Sequence, residues 1–164
     1  MFREMRRNKQ SLPLEDCVEI LNRGTSGVLA VTGDDDYPYA VPLSYVYYDN
    51  KIYFHGARTG HKLDAVSKNE KVSFCVIDKD QVVPDEYTTY FRSVIVFGKA
   101  RILKDEAEIR KAIDILAVKY APDHDEERRL QAIDREYAAM SMIELSIEHM
   151  SGKEAIELVK AKEK

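Results

Sequence analysis

Residues 39–55 constrain this chain more than any other stretch, because they read as two strands folded back on each other. Residues 39–48 (YAVPLSYVYY) are rich in β-branched and aromatic side chains, Asp49-Asn50 has the chemistry of a two-residue hairpin turn, and residues 51–55 return as the partner strand. A lone hairpin is marginal in water, so more strands or helices must cover its apolar face.

The rest of the chain supplies both. Leu14, Cys17, Val18 and Leu21 follow helical spacing, with Pro13 in the first turn and Gly24 as a stop. Residues 27–32 (GVLAVT) predict a buried strand, and Asp34-Asp35-Asp36 a turn. Residues 59–69 predict a short helix capped by Thr59, with Leu63 and Val66 inward. Residues 71–77 and 93–103 predict strands, and the polar stretch 78–90, interrupted by Pro84, predicts a loop between them. Asp105-Glu106-Ala107-Glu108 has capping-box form, and Ile109, Ala112, Ile113, Leu116, Ala117 and Tyr120 make an amphipathic stripe that Pro122 closes. A charged segment from Asp123 predicts a second helix carrying Leu130, Ile133 and Tyr137. Residues 142–148 alternate as a half-exposed strand, and Ser151-Gly152-Lys153-Glu154 starts a last short helix. The expected architecture is α+β, a six-stranded antiparallel barrel or strongly curled sheet with peripheral helices, in one domain over residues 1–164.

Bulk properties narrow the function. The 164 residues are 45% hydrophobic, enough for one real core, and a formal charge of −4 leaves no electrostatic footprint for nucleic acid. The basic cluster Arg3, Arg6, Arg7 and Lys9 reads as a solvated terminal arm. No apolar stretch approaches the roughly 20 residues that span a bilayer, and Met1-Phe2-Arg3-Glu4 opens without an apolar signal region. Cys17 and Cys75 fit neither a CxxC nor a zinc spacing. The expectation is a cytoplasmic protein with reduced thiols, no metal, and no nucleic-acid or membrane partner.

Three places break the local rules, as functional sites tend to. Pro42 sits inside a strand; lacking an N–H it suits an edge or a bulge, where freed backbone groups can meet the edge of a planar heterocycle. The other reading is a plain edge-strand proline. In residues 55–62 (HGARTGHK) a strand ends, a small-residue turn follows and a helix begins with basic residues, which oppose the helix dipole unless an anion sits there. The other reading is a solvated turn. Ser93, at the entry to a strand, could offer a hydroxyl to a bound phosphate or ring, or simply start the strand. There is no GxSxG, no HExxH and no Cys/His pairing, and paired carboxylates occur only in solvated runs such as residues 34–36.

The helix, then GVLAV, then YPYAVPLSYVYYDNKIYFHGARTGHKLDAVSKNEKVSFCVI, then FRSVIVFGKARIL resembles the FMN-binding split-barrel proteins of the pyridoxamine-phosphate-oxidase superfamily. The nearest branch is that of the 5-nitroimidazole-resistance proteins. The similarity runs from about residue 3 to 152, and the block 41–62 is its most specific part. The resemblance implies an FMN cofactor, with Val41, Pro42, Leu43, Ser44 and Tyr45 along the isoalloxazine ring and Pro42 at an irregular strand position. It implies that Phe54, His55 and Gly56 border the ring and ribityl chain, that His61 and Lys62 meet the phosphate, and that Ser93 meets the flavin. It also implies a homodimer with the two cofactor sites at its interface. His55 would face the open side of the flavin, which makes it the candidate catalytic residue. True pyridoxamine-phosphate oxidases carry a C-terminal segment with Arg and Trp that this Trp-free chain lacks, so vitamin B6 synthesis is not expected. The expected function is an FMN-dependent oxidoreductase acting on a small electron-poor molecule such as a nitroaromatic. The alternative is a non-enzymatic flavin- or haem-binding protein on the same barrel.

Overall fold

In the computed structural model, which describes residues 1–163, the chain opens with a two-residue strand β1 (Ser11–Leu12) and helix α1 (Leu14–Arg23). Strands β2 (Ser26–Thr32), β3 (Pro38–Ser44), β4 (Val46–Tyr48) and β5 (Lys51–Ala57) follow, then helix α2 (His61–Lys68). Two long strands, β6 (Lys71–Val83) and β7 (Thr88–Ile102), lead to helices α3 (Glu106–Tyr120) and α4 (Glu126–Glu136). Strand β8 (Met140–Glu154) and helix α5 (Ile156–Lys162) end the chain. The strands form one antiparallel sheet in the order β3-β2-β6-β7-β8-β5-β4, with β1 paired to β8. No helix among the described residues is long and apolar enough to cross a membrane.

The expected turn is there: Asp49 and Asn50 both have left-handed φ (50° and 58°), the signature of a two-residue hairpin turn. The strand count among the described residues is eight rather than six. The expected strand over residues 39–48 divides at Tyr45, because β3 pairs with β2 while β4 pairs with β5. That change of partner bends the sheet into a barrel. β1 is the other addition.

Two further expectations are corrected. Residues 78–90 are not a loop: β6 and β7 run on as one hairpin to a short turn at Pro84–Glu86. Neither face of that extension packs on the core, so its sequence carries no apolar alternation. Residues 151–154 do not start a helix. They complete β8, opposite residues 92–95 of β7, and α5 begins only at Ile156.

Leu29, Phe54, Phe74, Val96 and Leu145 fill the barrel, and α1 and α2 add Cys17, Ile20, Leu63 and Val66 to the same cluster. A second apolar cluster lies outside the barrel. There α3 and α4 set Ile113, Leu116 and Ile133 against Val46, Tyr53 and Met142 of β4, β5 and β8. Asp105 caps α3 as expected, accepting from the Glu108 N–H at 3.0 Å. Of the apolar residues expected on the second helix, Ile133 is buried while Leu130 is 43% exposed.

Candidate functional site

The barrel is not closed by hydrogen bonds. β4 pairs only with residues 51–53 of β5, so residues 54–57 have β8 on one side and an open edge on the other. β3 has β2 on one side and no strand on the other, and it lies against β5. The result is a seam between two strands whose facing backbone groups are unpaired by any strand.

Pro42 explains part of this seam, though differently from the irregular strand position expected of it. The β2–β3 register runs unbroken through the Val28–Pro42 pair. Since Pro42 has no N–H to donate, its backbone must face away from β2, toward the seam. In an antiparallel strand Ala40 and Ser44 then point the same way. The break in the strand falls at Tyr45, whose free N–H donates to the Tyr120 hydroxyl at 3.0 Å. Tyr120 in turn can donate to the Tyr45 or Thr25 carbonyl. Its neighbour Lys119 donates to the Gly24 carbonyl and stands 4.2 Å from the centre of the Tyr45 ring, and burial pushes its ammonium pKa down. The end of α3 thus clamps the strand where it changes partners. In the sequence Tyr120 is only the last residue of an apolar stripe, and no spacing reveals that its hydroxyl caps another strand.

The side chains of several candidates point into the core. Tyr45 is buried, its hydroxyl donates to the Leu21 carbonyl at 2.7 Å, and burial raises its pKa. Phe54 is buried edge-on to Phe74, while Val41 and Leu43 pack against the barrel interior. These residues have only backbone to offer a ligand at the seam.

At one end of the seam, α2 begins at Gly60, whose φ of +142° suits glycine alone and above which a side chain would meet nothing within 4 Å. Gly60, not Thr59, is the capping residue. Its carbonyl accepts from Leu63 and Asp64, leaving the first amides of the helix outward. Lys62 lies across β5: a Cβ on Gly56 would come within 2.9 Å of its Cε and 3.0 Å of its Nζ. The nearby Asp34 is paired with Lys68, and Lys62 has no carboxylate partner among the described residues. The His61 ring turns the other way, stacking on Tyr39 at 4.2 Å and accepting from the Asp34 N–H at 3.3 Å. What His61 offers at the helix start is its backbone N–H.

The other face of β5 carries His55, adjacent to Gly56 and therefore pointing oppositely. His55 and Ser44 line one cavity of about 370 Å³ between the strand ends and α3–α4. Ser93 is elsewhere. It lies on β7, paired with Ile77 and Lys153 in the middle of the sheet order, and one chain does not bring it to the seam.

Solved structures share this fold. The chain is similar to a proposed 5-nitroimidazole antibiotic resistance protein from Bacteroides thetaiotaomicron (20% identity, TM-score 0.71, covering 87% of this chain and 85% of that one). It is also similar to an FAD-binding protein from Mesorhizobium loti (26% identity, TM-score 0.61, 89% and 97%). A third is an FAD- and haem-binding protein from Mycobacterium smegmatis (23% identity, TM-score 0.73, 93% and 80%). A search of curated proteins finds no match. The sequence model of the pyridoxamine 5'-phosphate oxidase family matches residues 13–154, the whole span from α1 through β8 that builds the barrel and its seam. The chain is a split β-barrel protein and belongs to the pyridoxamine 5'-phosphate oxidase family.

Proposed function

We propose that this protein binds FMN along the β3–β5 seam and reduces a small electron-poor molecule such as a nitroaromatic. The observation that carries the reading is the seam itself: unpaired backbone groups, with a free lysine and outward helix amides at one end and an open cavity with His55 at the other. The phosphate would rest on Lys62 and the amides of His61 and Lys62. The ring edge would face the backbone of Ala40, Pro42 and Ser44. The relatives named for FAD support a flavin; FMN is preferred because the α2 cradle has no second motif for an adenosine half.

When bound, FMN supplies the electron transfer, while the protein supplies orientation and a dry pocket. His55 holds a position from which it can hand a proton to a reduced acceptor. Ser93 joins the site from a partner chain in a homodimer with shared sites. Cys17 and Cys75 are both unbridged, in keeping with the cytoplasmic residence we propose.

Lys62→Ala tests the reading. A charge-assisted contact is worth about 1.5–3 kcal/mol, so FMN affinity should fall about 10- to 150-fold while riboflavin, without the phosphate, is almost unaffected. Equal losses for both flavins, or none, would refute the cradle. A second reading, haem on the same barrel, rests on His55 and His124 lining one cavity, since imidazoles are haem ligands. The visible spectrum of the purified protein separates the two, a flavin absorption against a Soret band, and chromatography of the released cofactor distinguishes FMN from FAD.

A further inference from the structure

The cavity beneath the α3–α4 hairpin has properties of its own. Its floor is the end of the seam, with Ser44 and His55, and its walls are Leu116 and Ala117 of α3 and Ala132 and Ile133 of α4. The volume of about 370 Å³ lies in the range of small-molecule sites, and an apolar cavity of about 150 Å³ already admits benzene. The only charged side chains that line it are Arg129 and Glu136, of opposite sign. Arg129 is already engaged, donating to Asp114 at 3.0 Å and to the His124 carbonyl at 2.9 Å. The polar groups left for a ligand are the Ser44 hydroxyl, the imidazoles of His55 and His124 and the exposed Glu136 carboxylate.

The α3 wall is fixed by the Tyr120 and Lys119 clamp on the strand break. The α4 wall is held differently. Ile133 is its one buried residue, and the ion pairs Arg129–Asp114 and Arg110–Asp134 (2.8 Å) tie it to α3. One wall is rigid and the other lightly anchored.

We infer that this cavity is the substrate chamber and that it selects a neutral, planar, one- or two-ring aromatic molecule, with Ala117 and Ala132 setting its depth and His55 and Ser44 meeting the polar substituent. The inference rests on the proposed flavin site only for its place beside the reacting ring. A phosphorylated or carboxylated substrate is selected against, because no unpaired cation lines the chamber and the exposed Glu136 carboxylate repels an anion.

Nitrobenzene and 4-nitrobenzoate serve as the neutral and anionic probes, titrated by NMR into protein with FMN and into protein stripped of it. Nitrobenzene should bind both forms, at least tenfold more tightly than 4-nitrobenzoate. Ala117→Phe and Ala132→Phe, which fill the chamber, should each weaken nitrobenzene at least tenfold and leave FMN affinity within about twofold. Thermal unfolding should show both variants folded, with the Tm held or raised as empty volume is filled. Equal binding of the two probes, or nitrobenzene binding untouched in folded variants, overturns the chamber even where Lys62→Ala upholds the flavin site. Nitrobenzene binding that depends on Ala117 in a protein that takes no flavin upholds the chamber and overturns the flavin site.

Discussion

At Gly56 the absence of a Cβ decides where a positive charge rests. A methyl there would collide only with the far end of Lys62, a flexible side chain that can move aside. Gly56→Ala should therefore leave stability nearly unchanged while weakening FMN, and not riboflavin, about tenfold or less, as read by fluorescence quenching. A matching loss of stability would mean that the glycine serves the strand rather than the lysine. Tyr120 works through its hydroxyl. Tyr120→Phe leaves the Tyr45 N–H at the strand break without its acceptor, which should cost about 1–3 kcal/mol in urea unfolding with an unchanged m-value. Gly56 could be singled out in the sequence, because residues 55–62 read as a small-residue stretch between a strand and a basic helix start. Tyr120 could not, because its partner is 75 residues away.

The β6–β7 hairpin shows how an element hides from its own sequence. Its strands continue past the core, where nothing imposes a period of two, and the polar run 78–90 reads as a loop. The structure places a bulge at Asp78, where the register slips between Ile77 and Lys79. The bulge aims the carboxylate at two arginines: Arg23 donates at 2.7 and 2.8 Å, and Arg92 at 3.2 Å. The bonds from Arg23 hold the Asp78 carboxyl below its ordinary range, against the opposing effect of burial and with help from Arg92. Its folded pKa thus lies below the unfolded value of about 3.9, so its contribution is complete above that pH and fades as pH falls through the folded value. Asp78→Asn should cost about 1–2 kcal/mol at pH 7, discounted for the half-exposed Arg23. The gap from wild type should narrow below pH ~4. Urea titrations at pH 7 and pH 3 check this, and a gap independent of pH would assign the loss to packing.

On the scale of the molecule, the outer face of the sheet carries an exposed apolar patch. Ile77 on β6 and Ile95 and Phe97 on β7 are 65%, 40% and 38% exposed, and at the margin Phe2 stacks on His149 and lies tilted against Phe97. The same face carries Ser93, which points to its use between two copies. Sedimentation at micromolar concentration should give about twice the 18.9 kDa chain mass. Phe97→Asp should shift the protein toward monomer and weaken FMN as well, because the proposed site draws on both chains. A monomeric wild type that binds FMN tightly would refute the shared site.

The sequence alone determined the parts set by local rules. The left-handed turn at Asp49-Asn50, the Asp105 cap and the α3 stripe each follow from neighbours within a turn or a strand pair. The fold class followed as well, because hairpin-connected strands with helices outside them have few ways to bury one core. Tertiary structure decided the rest. It set where the strand over residues 39–48 changes partners, because pairing partners lie outside the local window. It showed that Pro42 keeps its register while opening an edge, that the long hairpin holds its strands beyond the core, and that Lys62 and His55 lie on opposite faces of β5. Each of these depends on which distant backbone stands alongside, and a period of two or 3.6 along the chain carries no record of that.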